Sequence, residues 1–373
     1  MLRFAFRFIS YDKAKSIGIV LGIVISTFLV GQQTGIFLFL TGAMASLVDN
    51  TQTDLWVVDS KTTNVNALGP IDVRIGRQLE SLPGVRKAYP FIVTGGTAKF
   101  EGGRSAPVQI IGSQPPNFRG GPWRIASGDL SELLDEGAVS VDIFDRKNLN
   151  DARLGTAFEI NGRRAIVAVE SRGVRGFGGT FMFTTVSKAR EFGRISSSKV
   201  SAFLVETQPG AGLPELRGHI NATIFGVRAW TKKDFSRATV STILATSGIA
   251  LSIGTLIIFA VVAGMVIIGL TMYSAAVDRL RDYGTLKAIG ADNRYIRRLI
   301  MTQALVFGLV GYGIAIFFIQ GFRNGIAKSG ILFDYSPEIK IGFFVITMLI
   351  ALAGAVFAMR RIAKLEPASV FRT

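Results

Sequence analysis

The chain has 373 residues, no cysteine, one histidine and a formal net charge of +16, and 49% of its residues are hydrophobic. The lack of cysteine excludes disulfides and thiolate-based metal sites, and a mean hydropathy of +0.40 argues against an ordinary water-soluble protein. In a soluble protein this charge would suggest nucleic acid as a partner, but here the basic residues flank apolar runs, which indicates a membrane and no nucleic acid.

The N-terminal segment, residues 1–15, is basic and contains phenylalanines beside its arginines. It forms either a short helix in the membrane interface or a frayed basic tail. An uncharged apolar run follows at 16–48. A membrane-spanning helix needs about 20 apolar residues, whereas the apolar core of a signal peptide has roughly 7–15. We therefore predict a first spanning helix that extends beyond the bilayer as a stalk.

Residues 49–237 have the pattern of a mixed α/β domain. Short β-rich runs alternate with runs of helical periodicity, and the dipeptide Asn161-Gly162 predicts a hairpin turn between two of the strands. The predicted strands are TDLWVVDS, RKAYPFIV, PVQIIGSQ, GTAFEI, RAIVAVE, FMFTTV and SAFLVET, and the predicted helices are IDVRIGRQLESL, DLSELLD, VSKAREF and LPELRGHI.

One segment of this domain, SRGVRGFGGTF, is rich in glycine and arginine. It lacks the G-x-x-x-x-G-K-[ST] spacing of a phosphate-binding loop. We interpret it either as a loop that docks a partner protein or as an ordinary surface loop. The candidate docking residues are Arg172, Arg175, Gly176, Phe177, Gly178 and Gly179.

Three further uncharged apolar runs complete the chain, at 238–277, 299–322 and 341–359. The first of them is too long for one bilayer crossing, and its Ser/Thr-rich start is either a helical stalk or a loop. Lys and Arg cluster in 1–15, in the connecting segment 278–298 and in the tail 360–373, while the connection 323–340 has few. The positive-inside rule predicts a cytoplasmic location for both termini and for 278–298, and an external one for 49–237 and 323–340.

The spanning runs contain small residues at a spacing of four, at Gly18 and Gly22 and at Ala260 and Gly264. This spacing lets helix backbones approach closely, within one chain or in a dimer. The runs contain no ionisable side chain, which is unusual for an ion-coupled transporter. The sequence also lacks the G-x-S-x-G, H-E-x-x-H and Walker A motifs, so it predicts no catalytic residue, no metal site and no bound cofactor.

The segment RDYGTLKAIGADNRYI, residues 281–296, is short and charged, yet it separates two spanning runs. Apolar residues recur every third position around it, which places them on one side of a short helix, and Gly284 and Gly290 permit a bend and a stop. Such a helix suits docking into a groove of another protein. The alternative is a basic loop that only anchors the topology.

The part DYGTLKAIGA resembles the segment that follows the second span of FtsX/MacB-type ABC transporter permeases, E-x-G-x-L-[RK]-A-[IL]-G-A, with Asp282 in place of the usual Glu. The basic C-terminal end RRIAKLEPASVFRT is also similar to that family. The topology agrees, with one span, a large external domain and three more spans. Within the family the chain is most similar to the DevC-like glycolipid exporter permeases, on the segments DLWVVDSKTTNV, LPGVRKAYP, EINGRRAIV, LKAIGA and LEPASVFRT.

The resemblance implies a bundle of four transmembrane helices with a mixed α/β extracytoplasmic domain between the first two, in a bacterial inner membrane. It implies a non-enzymatic homodimer that binds two copies of a cytoplasmic ABC ATPase, which carries ATP and Mg²⁺, and works with a periplasmic adaptor and an outer-membrane duct. Leu286 and Ile289 would enter the ATPase groove. The full set of coupling residues implied is Arg281, Asp282, Tyr283, Gly284, Leu286, Lys287, Ala288, Ile289, Gly290 and Ala291.

The family allows more than one function. The first is export of a lipid, glycolipid or other amphiphile by mechanotransmission, in which ATPase movement is passed along stalk helices to the external domain. The second is mechanical regulation of a cell-wall hydrolase, as in FtsX, and the third is extraction of lipoproteins. A membrane-anchored binding domain without an ATPase is a fourth reading, and the LKAIGA segment argues against it.

Overall fold

The computed structural model describes residues 13–278 and 280–362. They form two compact units, a helical unit of residues 13–38, Ile249–Lys328 and 332–362, and an α/β unit of Phe39–Gly248 and Ser329–Ile331. The predicted interfacial segment, except its last three residues, and the tail from residue 363 onward lie outside the described residues. The C-terminal motif LEPASVFRT lies outside them as well.

In the described part of the chain, all strands lie between the first two apolar helices. In chain order the elements are α1 (Lys13–Asp49), β1 (Leu55–Asp59), β2 (Ile71–Asp72), α2 (Ile75–Glu80), β3 (Val85–Lys99), β4 (Ser105–Ser113), β5 (Ile125–Ser127), β6 (Ala138–Asp142), β7 (Ala157–Ile160), β8 (Arg163–Ser171), β9 (Thr180–Thr185), α3 (Val186–Gly193), β10 (Lys199–Val200), β11 (Ala202–Thr207), α4 (Leu213–Thr223), β12 (Val227–Thr231), α5 (Lys232–Ser247), α6 (Ile249–Val277), α7 (Leu280–Ala288), α8 (Asn293–Ala327) and α9 (Pro337–Ile362).

Within residues 13–278 and 280–362, four helices are long and apolar enough to cross a membrane, as predicted, namely α1, α6, α8 and α9. α1 is unbroken over 37 residues, or about 55 Å at about 1.5 Å per residue, which exceeds a bilayer core of about 30 Å. Its residues up to Leu38 belong to the helical unit and the rest to the α/β unit. The run predicted as one stalk and span, 238–277, is divided at Gly248, whose φ of +68° ends α5 in the left-handed conformation that glycine favours.

The α/β unit contains a ten-stranded sheet and a separate two-stranded sheet of β2 and β10. The large sheet has the strand order β12-β1-β11-β3-β7-β8-β5; β4 pairs with β3 and β9, and β6 pairs with β8. The long strand β3 pairs with β11 through its first half and with β4 through its second. Most pairs are antiparallel, but β4–β9 and β6–β8 are parallel. β3 therefore belongs to two lobes of the sheet, one that contains β1, β11 and β12 and one that contains β4 and β9.

The continuous apolar run of β1 reflects burial on both faces of the sheet. Leu55 and Val57 pack in a cluster with side chains of α2 and α4, whereas Trp56 packs on the other face with Phe235 of α5 and with the end of α1. The end of α1 and the start of α5 are thus part of the hydrophobic core of the α/β unit.

Predictions of turns and strands in this unit are mostly confirmed, whereas two predicted helical segments differ in the structure. The Asn161-Gly162 turn is present, with φ of +51° and +80° between β7 and β8. All seven predicted strands are present, but residues 71–72, predicted as the start of a helix, form strand β2 because they pair with β10. The segment DLSELLD is a 3₁₀ helix rather than an α-helix, capped by Asp129 and Glu132.

Candidate functional site

The segment singled out from the sequence forms a tight corner between two helices of the helical unit. α7 ends in a left-handed Gly290, φ +100°, and the Ala291 N–H donates to the Leu286 carbonyl at 2.9 Å, which is the six-to-one bond of a Schellman motif. The Asp292 carboxylate then accepts from the Arg294 N–H at 3.3 Å and caps α8. The Gly-Ala-Asp sequence thus ends one helix and starts the next within four residues.

The inner side of this corner packs into the helical unit. Tyr283 is only 6% exposed, and it shares a hydrophobic cluster with Ile19 of α1, Ala276 of α6 and Ile296 of α8. Leu286 is half-buried against the same cluster. These contacts fix the orientation of α7 relative to the first helix.

The outer side of the corner is open. Ile289 is 81% exposed at its tip, and Arg281, Asp282, Thr285 and Gly290 are exposed beside it. The predicted apolar stripe is therefore divided, since Leu286 faces the chain's own helices and Ile289 does not. Gly284 and Ala291 are half-buried; the side chains of Lys287 and Ala288 lie outside the described part of the chain.

An ion pair near this corner was not predicted from the sequence. The Lys15 ammonium, in the first turn of α1, pairs with the carboxylate of Asp278 just after α6, and it also donates to the Ser274 carbonyl at 3.5 Å. The two residues are far apart in sequence, so no local pattern links them. The pair ties the start of α1 to the end of the helix that precedes the corner.

The small residues singled out from the sequence lie between helices of the helical unit to different degrees. A Cβ added at Gly22 would lie 2.9 Å from Ile267 Cγ2, and one at Gly264 would overlap Ser26. The Ser26 hydroxyl donates to the Ala260 carbonyl at 2.7 Å across the α1–α6 contact. Gly18 is less crowded, with Thr271 Cγ2 at 3.6 Å. Gly22, Ala260 and Gly264 are therefore occupied by contacts inside one chain.

Sequence reasoning missed a second glycine pair on α1, Gly31 and Gly35. The Tyr335 hydroxyl, from the segment before α9, donates to the Gly31 carbonyl at 2.8 Å. A Cβ added at Gly35 would lie 2.5 Å from that hydroxyl oxygen. Glycine at position 35 therefore leaves room for a tyrosine to reach a helix carbonyl.

Two sequence families match the chain. The MacB-like periplasmic core domain matches residues 16–223, and the FtsX-like permease C-terminal region matches residues 254–367, which contain the corner. The chain belongs to the FtsX/MacB-type ABC transporter permeases. An uncharacterised ABC transporter permease of Mycobacterium tuberculosis, found in strains CDC 1551 and H37Rv, is 25% identical over 94% of this chain and 95% of its own length.

Two solved structures of extramembrane domains are similar to part of this permease. The periplasmic region of MacB from Actinobacillus actinomycetemcomitans is 12% identical, with a TM-score of 0.37 over 54% of this chain and 98% of that one. The extracellular domain of the ABC-type transporter YknZ from Gram-positive bacteria is 12% identical, with a TM-score of 0.34 over 48% of this chain and 98% of that one.

The Gly/Arg-rich loop of the permease is anchored at its centre and more open at its ends. The buried Asp142 carboxylate accepts from the Val174 N–H at 2.7 Å, and burial raises the pKa of this carboxyl group. Arg175 pairs with Asp145, and Gly176 is closely covered by Phe181. Of the predicted docking residues, Arg172 and Gly178 are exposed, while Phe177 and Gly179 are half-buried.

Just after α1 ends, two backbone carbonyl groups accept hydrogen bonds from side chains of the α/β unit of the permease. The Lys232 ammonium, in the first turn of α5, donates to the Thr51 carbonyl at 2.9 Å, and the Arg119 guanidinium donates to the Gln52 carbonyl at 2.5 Å. Leu47 and Val48 of α1 lie in the same hydrophobic cluster as Phe235 of α5. Both connecting helices are therefore fixed to one another through the core of the unit.

Proposed function

We propose that this permease is the membrane subunit of an ABC exporter, a homodimer in a bacterial inner membrane driven by two copies of a separate cytoplasmic ATPase. The ATPase docks on the corner formed by α7 and the first turn of α8. The observation that carries this proposal is the tip of the corner, where Ile289 is 81% exposed on a capped helix that Tyr283 holds against α1. An apolar side chain presented on a rigid base is what a protein groove binds.

The route of the movement in this proposal is mechanical. A displacement of the corner reaches α1 through the cluster around Tyr283. α1 is a single unbroken helix with residues in both units, and its end is bonded to α5 and packed in the α/β core. A helix transmits displacement along its axis because each turn is hydrogen-bonded to the next.

The substrate in this proposal is a lipid, glycolipid or other amphiphile, in keeping with the resemblance to DevC-like permeases. The α/β unit would act on it outside the inner membrane, with a periplasmic adaptor and an outer-membrane duct. ATP and Mg²⁺ would bind to the ATPase, and the permease would contribute no catalytic residue.

The test is a pull-down of the tagged permease from mild detergent, with mass spectrometry of the retained proteins. An ATPase with an adaptor supports export. An ATPase with a cell-wall hydrolase would instead indicate the mechanical regulator. Retention of no ATPase by the intact permease would contradict the assignment of the corner.

A variant pair tests the docking residue itself. Ile289→Asp is expected to abolish ATPase retention and leave membrane insertion unchanged, because the charge would be buried in the groove without a partner. The matched control is Leu134→Asp, which changes an exposed leucine of the α/β unit, 55% exposed. Retention of the ATPase by Ile289→Asp at the wild-type level would show that the corner does not dock it.

A further inference from the structure

The connection between α8 and α9 contributes three residues to the α/β unit. Ser329–Ile331 group with that unit, although the residues on both sides belong to the helical unit. Gly330 has a φ of +80°, and a Cβ added there would lie 2.6 Å from both Cβ and Cγ of Phe144. Glycine is therefore favoured at position 330 for two reasons, the left-handed backbone and the close approach of the Phe144 ring.

Arg175 completes the attachment of this connection. Its guanidinium donates to the Asp145 carboxylate at 2.5 and 3.1 Å, to the Ser329 carbonyl at 3.3 Å and to the Phe144 carbonyl at 3.4 Å. Its own carbonyl accepts from the Ser46 hydroxyl, near the end of α1, at 2.8 Å. One residue thus joins α1, the segment that follows β6 and the α8–α9 connection.

The chemistry of this contact is specific to arginine. Asp145 is almost fully buried, so its charge needs a partner that remains in place. The planar guanidinium can satisfy the carboxylate with two N–H groups and still direct others to two carbonyls. A lysine would keep the charge but could not serve these acceptors in the same fixed geometry.

We propose that Arg175 and Ser329–Ile331 form a permanent third attachment, through which movement of α8 and α9 reaches the α/β unit in addition to movement along α1 and α5. This inference rests on the proposed function, because it assumes that an ATPase moves the helical unit. Arg175 is a positioning residue in this scheme, and the Gly/Arg-rich loop serves at its centre as an internal brace.

The first test uses the absence of cysteine from the chain. Phe144→Cys combined with Gly330→Cys is expected to form a disulfide in native membranes, because small shifts bring the two Cβ atoms to the spacing that a disulfide needs. A protease site inserted in the exposed segment at Gly210 separates the two cysteines, so the fragments stay linked only if the disulfide forms. The control pair is Phe144→Cys with Gly325→Cys, since a Cβ at Gly325 meets nothing within 4 Å.

The second test measures transmission. A spin label at Leu154→Cys, on an exposed residue of the α/β unit, reports the distance between the two protomers of the complex with its ATPase, before and after ATP and vanadate are added. We expect Arg175→Gln to retain the ATPase and to lose most of the ATP-dependent change in distance. Arg164→Gln, which changes an exposed arginine on β8 of the same unit, should keep the change.

A rescue distinguishes loss of the attachment from misfolding. In Arg175→Gln, the Phe144→Cys/Gly330→Cys pair is oxidised before Leu154→Cys is labelled through a thioether bond, which reduction does not cleave. The disulfide should restore the ATP-dependent change, and reduction should remove it again. Three results would each overturn the attachment and leave the proposed function intact. They are failure of the rescue, absence of the disulfide from the Phe144→Cys/Gly330→Cys variant that keeps Arg175, and a full ATP-dependent change in Arg175→Gln. A wild-type complex that retains no ATPase, or shows no change with ATP, would overturn the proposed function and the attachment together.

Discussion

Replacement of Gly264 by alanine is expected to destabilise the helical unit, whereas the same replacement at Gly313 is not. A Cβ at Gly264 would overlap Ser26 and lie 3.2 Å from Ile350 Cγ2, while a Cβ at Gly313 meets nothing within 4 Å. Both glycines lie inside apolar helices, α6 and α8. The two variants therefore share the intrinsic helix preference of alanine over glycine and differ in packing.

The expected difference follows from two contributions. Insertion of a methyl group into a packed interface costs about 1–3 kcal/mol. Displacement of Ser26 also weakens its hydrogen bond to the Ala260 carbonyl, 2.7 Å long, and such a bond between helices in a membrane contributes about 0.6 kcal/mol. Gly264→Ala should thus be less stable than Gly313→Ala by about 2–4 kcal/mol.

Unfolding by steric trapping or by SDS titration in bicelles measures this difference, with the wild type as reference. A second prediction of the same packing is that Ser26→Ala should partly relieve the defect in Gly264→Ala, because it removes the hydroxyl that the new methyl group meets. Equal unfolding free energies for the two alanine variants would refute the conclusion that Gly264 packs against α1.

Three further predictions concern other contacts. Ile289→Ala should weaken ATPase binding by about 1–2 kcal/mol, which is roughly 5- to 30-fold in titrations. The reason is that Ile289 is 81% exposed and most of its apolar surface is available for burial. An unchanged affinity would exclude Ile289 from the interface. Leu286→Asp, unlike Ile289→Asp, should lower the unfolding free energy of the permease itself, because Leu286 packs in the cluster around Tyr283. Asn221→Ala should lower the stability of the α/β unit by about 1–3 kcal/mol in denaturant titrations, because it leaves the N–H of Ala229, now bonded to Asn221 at 2.7 Å, without its acceptor.

The features that the sequence predicts well have local causes. The four spanning helices follow from the length and composition of single runs. The Asn161-Gly162 turn follows from two adjacent residues that tolerate positive φ. At the corner, Gly290 and Asp292 are typical residues at a helix C-terminus and a helix N-cap, so the end of α7 and the start of α8 could be expected from the sequence.

Features that depend on distant partners could not be derived in this way. A spacing of three residues groups Leu286 with Ile289, but only the packed helices determine that Leu286 faces inward. The local sequence at 71–72 predicts a helix, but these residues form a strand because they pair with β10, which is more than a hundred residues away. Arg175 looks like an exposed loop residue because Asp145 and Ser329 lie far from it in sequence.

Strand β3 limits how the α/β unit can respond to a load. Its 15 residues span about 50 Å at about 3.3 Å per residue, and they pair first with β11 and then with β4 without a break in the strand. Phe91 of β3, Leu204 of β11 and Phe183 of β9 lie in one hydrophobic cluster, so bending between the two lobes would also have to disrupt a shared core. The unit should therefore tilt as a single stiff body, so that a rotation at the end of α1 is carried to both lobes without internal bending.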